Sequence, residues 1–128
     1  RYSSSAASDV YKRQVCIKSR GVDKDTPLRW LHDSTKDFEF SISNQSVAIG
    51  DNPNGNDRAL TSLFDEYNLS FVNVGERPFV ENGCYQLGGF EHGTASLIDS
   101  LVDIWKRTGD LPAFDHAFLS SLISDIRR

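Results

Sequence analysis

The stretch SVAIGDNPNGNDRAL, residues 46–60, joins an apolar run to a polar loop and then to the start of a helix. Residues 47–49 have the composition of a buried strand, and the pattern from Arg58 onward is helical. The loop between them is rich in Gly, Asn and Pro and contains two carboxylates, Asp51 and Asp57. Core packing does not require such a loop. We therefore expect it to hold a polar, cationic group at the end of the strand.

The rest of the chain alternates short apolar runs with amphipathic segments. The predicted elements are a helix capped by Asp25 or Thr26, a helix after Arg58, strands over residues 69–74 and 84–87, a helix over 94–107, and a last helix from Pro112 that includes Phe114. Strands that alternate with helices are typical of a parallel sheet. The sequence therefore predicts an α/β fold in which helices flank a parallel sheet.

Composition narrows the possible functions. The chain has 128 residues and a net charge of −4, which suits one domain with a modest core. No apolar run approaches the roughly 18 residues of a membrane helix, and no basic stripe indicates a nucleic-acid partner. Cys16 and Cys84 have neither metal nor redox spacing, so we expect reduced thiols in a cytoplasmic protein.

Residues 1–14 are predicted to be a non-native leader. They contain SSAASDVYKRQ, which resembles the in-frame translation of a transposase-based sequencing adapter. This segment has neither the charged-then-apolar build of a signal peptide nor a helical period. We therefore expect the natural sequence to start near Val15 and to have lost an N-terminal portion, so that residues 15–128 are the C-terminal portion of a domain.

Hard oxygen donors cluster in the loop that follows residues 47–49, where open parallel sheets bind their ligands. Asp51 suits Mg²⁺, which takes a few carboxylates together with water and a substrate phosphate. Asn54 and Asn56 have amide groups that can donate to phosphoryl oxygens, which carboxylates cannot do. Lys24, in the turn before the first predicted helix, supplies a cation for the same charge.

A family resemblance is carried by two stretches, GVDKDTPLRWL and SVAIGDNPNGNDRAL. Together they resemble the last two motifs of the haloacid dehalogenase (HAD) superfamily, in which a lysine opens a helix and a later strand ends in Gly-Asp. The next core strand of that family is similar to SFVNVG, its C-terminal turn and helix to GGFEHGTASLIDSL, and the return from an inserted cap in its Cof-like and sugar-phosphatase branches to VCIKSRGVDK. The resemblance covers about residues 15–107 and implies the C-terminal part of a Rossmann-like HAD core.

The resemblance also implies a function, a Mg²⁺-dependent phosphatase of a small phosphorylated metabolite that works through an aspartyl-phosphate. It implies that Lys24 stabilises the nucleophile and the phosphoryl charge, and that Asp51 binds Mg²⁺. Asp57 would support the metal shell or Lys24, and Asn56 would contact the phosphate or cap the following helix. The loop differs from the common family patterns, because five residues separate its aspartates where those patterns have three or four.

The nucleophile motif of the family, an Asp-x-Asp after a hydrophobic strand, is absent from this sequence, and so is the Ser/Thr motif that follows it. The nearest candidate, Asp23-Lys-Asp25, follows no such strand and contains the lysine itself. We therefore expect both missing motifs to belong to the lost N-terminal portion. The chain alone is then predicted not to hydrolyse phosphate esters.

Other interpretations of the same loop remain open. One is a doubly wound binding or regulatory domain without hydrolytic activity. A second is purely structural: Asp51 ends a strand in an Asx turn, and Asp57 caps the next helix. Another is a calcium-binding loop, but Pro53 and Gly55 stand at its third and fifth positions, and Ser62 stands where a bidentate Glu is needed.

Overall fold

The structure is a computed structural model of the chain, and it describes residues 23–34, 45–88 and 92–128. The predicted leader, residues 1–14, and its boundary with the rest of the chain lie outside the described residues. The polar loop at residues 51–57 and the turn that carries Lys24 lie within them.

The described residues form five helices and three strands. They are α1 (Thr26–Ser34), β1 (Val47–Gly50), α2 (Arg58–Thr61), α3 (Leu63–Tyr67), β2 (Ser70–Asn73), β3 (Cys84–Gln86), α4 (Gly93–Thr108) and α5 (His116–Arg127). The three strands form one sheet in the order β1-β2-β3, and both neighbouring pairs are parallel. The predicted α/β class, with a parallel sheet and flanking helices, is confirmed.

The sheet separates two apolar cores, because successive side chains of a strand point to opposite faces. Ala48 and Phe71 lie on one face, and Val72, the next residue of β2, lies on the other. The first core is Ala48, Leu63, Leu69 and Phe71, and the second is Val72, Leu87, Leu97, Leu122 and Ile123. Helix α3 thus covers one face while α4 and α5 cover the other, as in parallel sheets that are buried on both sides.

Helix α1 lies on the same side of the sheet as α3. Leu28 packs against the first core. Arg29 donates to Asp25 over 2.6 Å and to Glu66 of α3 over 2.5 Å. The hydrogen bond from Arg29 lowers the pKa of the Glu66 carboxyl. These contacts attach α1 to α3 and so fix the turn that carries Lys24.

Two predicted helix boundaries are wrong. The last helix begins at His116 rather than at Pro112, because the extended Asp115 accepts a hydrogen bond from Phe118 N over 2.9 Å and so forms the N-cap. Phe114 therefore precedes the helix. The segment from Arg58 onward, which was predicted as one helix, forms two short helices, α2 and α3, which are separated at Ser62.

Within the described ranges, none of the helices has the length and apolar character needed to cross a membrane. Helix α4 is the longest of them, with 16 residues, and it ends in the basic residues Lys106 and Arg107. These cations suit the negative end of the helix dipole. Gly109 then ends the helix in the left-handed conformation, with φ of 79°.

Candidate functional site

The polar loop begins where the parallel strands end. Val74 N donates to Gly50 O over 2.9 Å, and Leu87 N donates to Asn73 O over 2.8 Å, so the sheet bonding continues to the carboxyl edge. A Cβ at Gly75 would lie 2.1 Å from Asp51 O. Only a glycine allows the loop after β2 to pass so close to the loop after β1. The two loops therefore form one continuous edge, where open α/β sheets bind ligands.

Lys24 and Asp57 are brought together at this edge, although 32 residues separate them in the sequence. Lys24 Nζ lies 2.5 Å from Asp57 Oδ1. The second carboxylate oxygen, Asp57 Oδ2, accepts from Asn52 N over 3.0 Å. The Asp57 side chain is only 5% exposed, whereas that of Lys24 is 51% exposed. The buried Asp57 carboxylate thus holds the end of a lysine side chain that is half exposed.

The interpretation of Asp57 as a capping carboxylate is wrong. Asp57 stands at the N-cap position of α2, but its side chain makes no capping hydrogen bond. Only its backbone carbonyl is hydrogen-bonded to the helix, where it accepts from Leu60 N and Thr61 N over 3.0 and 3.1 Å. The carboxylate instead accepts hydrogen bonds from Asn52 N and Lys24 Nζ, beyond the end of β1.

Gly50 provides the space that this carboxylate occupies. A Cβ at position 50 would lie 2.3 Å from Asp57 Oδ2 and 2.9 Å from Cζ of Phe71. Neither neighbour can move freely, because both are buried and Asp57 is held by two hydrogen bonds. The buried carboxylate of Asp57 therefore explains why residue 50 is a glycine.

We expect Gly50→Ala to lower the free energy of unfolding by about 1 to 2 kcal/mol, because the added methyl group overpacks the strand end. Urea unfolding followed by circular dichroism measures this difference. In an Asp57→Ala background the same substitution should cost less, since the colliding carboxylate is gone. An equal cost in both backgrounds would show that the collision does not involve Asp57.

A cavity of about 690 Å³ lies between the two loops. It is lined by Asp51, Asn52, Pro53, Asn54, Val74, Gly75, Glu76, Arg77, Pro78 and Phe79. Of the predicted site residues, Asp51 and Asn54 therefore line the cavity. Asn56 is exposed elsewhere on the loop, and Lys24 and Asp57 are not among the lining residues. The predicted roles of all five residues stay predictions.

Two carboxamide side chains, those of Asn73 and Gln86, fix the second wall of the cavity. Asn73, which is fully buried, donates to Arg77 O over 2.8 Å and accepts from Gly75 N over 2.9 Å. Gln86 accepts from Phe79 N over 3.1 Å and donates to Phe79 O over 2.6 Å. Neither residue was predicted from the sequence. For Asn73, the available signal was a carboxamide inside the apolar run FVNV, residues 71–74.

The donor set at the edge fits Mg²⁺ in part. Among the residues that the structure describes, no group of three or more His, Cys, Asp or Glu is placed to hold a metal ion. Asp51 is exposed and lines the cavity together with the carboxamides Asn52 and Asn54. Mg²⁺ commonly uses one or two carboxylates and completes its shell with water and substrate phosphate. One carboxylate with neighbouring amide oxygens matches that chemistry.

Comparison with protein-family models, with curated proteins and with solved structures finds no match to this chain. The parallel sheet and its flanking helices define the class of the protein as a parallel α/β domain. Its candidate site is the carboxyl edge that carries Lys24, Asp51 and Asp57.

Proposed function

We propose that residues 15–128 form the lysine- and metal-binding part of a Rossmann-like HAD core, in a Mg²⁺-dependent phosphatase of a small phosphorylated metabolite. The observation that carries the proposal is the contact of Lys24 with the buried Asp57, at the same end of the sheet as Asp51. The order lysine, strand, Gly-Asp and second Asp supports it from the sequence.

In this proposal each residue has a distinct role. Lys24, whose side chain is half exposed, neutralises the phosphoryl charge with its ammonium group, and Asp57 positions Lys24. Asp51 holds Mg²⁺, which supplies charge stabilisation to the transferred phosphoryl group. Asn54 donates to a phosphoryl oxygen from the cavity wall, and Asn56 does so from the loop.

The covalent step belongs to a carboxylate nucleophile supplied from outside these residues. That carboxylate attacks phosphorus, the ester P–O bond breaks, and the leaving alkoxide takes a proton from water to become the alcohol. Water then attacks the aspartyl-phosphate, which releases inorganic phosphate and regenerates the carboxylate. Lys24 and Asp51 stabilise charge in both steps, and neither residue forms or breaks a covalent bond.

We expect the chain to bind Mg²⁺ weakly through Asp51, and Asp51→Asn to weaken that binding about tenfold, because it removes the charged ligand. A titration with MgCl₂ followed by nuclear magnetic resonance of the backbone amides measures the dissociation constant. The matched control is Asp99→Asn, an exposed carboxylate on α4, which should leave the constant unchanged. Equal affinity of wild type and Asp51→Asn would contradict the assignment of Asp51.

Activity tests the proposal at the level of the reaction. The chain incubated with p-nitrophenyl phosphate and Mg²⁺ should release no more product than buffer alone, because it contains no nucleophile motif. The translation product of the complete reading frame should hydrolyse phosphate esters and lose that activity in Lys24→Met and Asp51→Asn. A complete protein that binds phosphorylated metabolites but does not hydrolyse them would favour the alternative of a doubly wound binding domain.

A further inference from the structure

Arg77 is the cation in the wall of the 690 Å³ cavity. The other two charged lining residues are the carboxylates Asp51 and Glu76. Arg77 is exposed, and the ion pairs found within the described ranges engage other cations of the chain. Arg77 therefore brings an exposed cationic side chain to the wall of the cavity, and no ion pair within the described ranges engages it.

Side chains of the sheet fix the backbone around Arg77 by hydrogen bonds. Its carbonyl accepts from the fully buried Asn73, and the loop on either side is fixed at Gly75 and Phe79. These hydrogen bonds are made by side chains of the paired strands β2 and β3. An arginine on a fixed backbone loses less freedom on binding than one on a mobile loop.

The charge balance of the cavity makes anion binding depend on Asp51. Two carboxylates and one guanidinium give the wall a net charge of −1, which repels an anionic ligand. Binding of Mg²⁺ at Asp51, or the change of Asp51 to Asn, removes that repulsion. An anion next to Arg77 is then attracted, and the planar guanidinium fork pairs bidentately with a carboxylate or a phosphoryl group.

We propose that Arg77 binds a second anionic group of the substrate, a carboxylate or a phosphoryl group, while the scissile phosphoryl group lies near Asp51. This inference rests on the proposed phosphatase function and specifies its substrate class as metabolites with two anionic groups. The cavity volume is within the roughly 300–1,000 Å³ of typical small-molecule sites, so one such metabolite fits.

Two matched pairs of ligands test the assignment in the presence of Mg²⁺. In the first pair, 3-phosphoglycerate has a carboxylate that glycerol 3-phosphate lacks. In the second, fructose 1,6-bisphosphate has a phosphoryl group that fructose 6-phosphate lacks. Amide resonance titrations give the dissociation constants for the full chain. We expect the doubly anionic member of at least one pair to bind about tenfold more tightly, as for one charge-assisted contact. The pair that responds identifies the second group.

The variant Arg77→Gln should reduce that preference to about twofold or less, whereas Arg77→Lys, which keeps the charge but not the fork, should be intermediate. The matched control is Arg107→Gln, which changes an exposed arginine paired with Asp103 on α4 and should leave the preference intact. A preference that is equal in wild type and Arg77→Gln, or absent from both pairs, would overturn the inference.

The variant Asp51→Asn separates this inference from the proposed function. It makes the charge of the cavity wall neutral without a metal, so the Arg77-dependent preference should be measurable in the absence of Mg²⁺. If Mg²⁺ fails to bind wild type but the preference persists in this background, the proposed function fails and the Arg77 site stands. If Mg²⁺ binds and Arg77→Gln has no effect in either background, only the Arg77 site fails.

Discussion

Replacement of Phe71 by alanine should lower the free energy of unfolding by about 3 to 5 kcal/mol, the cost of removing a fully buried aromatic side chain. Phe71 is 1% exposed and lies on β2, the middle strand of the sheet. It packs in the first core with Ala48, Leu63 and Leu69, so it joins two strands to the helix that covers them. Its loss leaves a cavity that these neighbours cannot fill without moving the sheet.

Chemical denaturation measures this change, and two further variants make it interpretable. Phe71→Leu should cost only about 1 kcal/mol, because most of the apolar volume is kept. Val80→Ala, at a side chain that is 89% exposed, should change stability by less than about 0.5 kcal/mol. A loss below 1 kcal/mol for Phe71→Ala would mean that the first core is not packed as described.

The same substitution should disturb the candidate site. The Phe71 ring and the Asp57 carboxylate both border the space that a Cβ at Gly50 would fill. Removing the ring therefore enlarges the space next to Asp57. This connects the stability of the core to the position of Lys24 at the carboxyl edge of the sheet.

Lys24→Met should lower the free energy of unfolding by about 2 to 3 kcal/mol, because it leaves the buried Asp57 carboxylate without its cation. Asp57 is 3% exposed and would keep only the hydrogen bond from Asn52 N. We expect less than the loss of a wholly buried ion pair, since Lys24 is half exposed and the site admits water on that side. The Met side chain keeps most of the apolar length of lysine.

A double-mutant cycle isolates the charge. In Asp57→Asn the side chain at position 57 is neutral, so adding Lys24→Met should cost less than about 1 kcal/mol. The control Lys106→Met, at an exposed lysine near the end of α4, should change stability by less than about 0.5 kcal/mol. If Lys24→Met costs as much in the Asp57→Asn background as in wild type, the lysine does not stabilise the fold through Asp57.

Elements specified by local chemistry were predictable from the sequence. The apolar runs that became β1 and β2 were recognised by composition, and the short strand over 84–87 by its turn signals. Helix α4 carries its own end signals, because Lys106 and Arg107 suit its dipole and Gly109 adopts the positive φ that ends it. These features depend on residues that are neighbours along the chain, so a pattern in the sequence is sufficient.

The start of α5 shows where a local pattern misleads. Proline is a frequent first residue of helices, so Pro112 was predicted to begin the helix, and Phe114 continues the apolar stripe of the segment. In the structure the helix begins four residues later, because the Asp115 carboxylate binds Phe118 N. Phe114 is nevertheless buried and stacks on Phe118, with ring centroids 5.9 Å apart. Apolar periodicity reported the burial of Phe114 correctly but not its backbone conformation.

At the candidate site, the sequence was sufficient to predict which chemical groups are present and that the loop of Asp51 and Asp57 follows a strand. The three-dimensional fold was needed to show that Lys24 contacts Asp57, and that the Asp57 side chain binds the lysine instead of capping a helix. It also decided that Arg77 shares a cavity with Asp51. The physical reason is that parallel strands bring their carboxyl ends to one edge, so contacts there join residues far apart in the chain. No pattern of neighbouring residues records which side chains meet there.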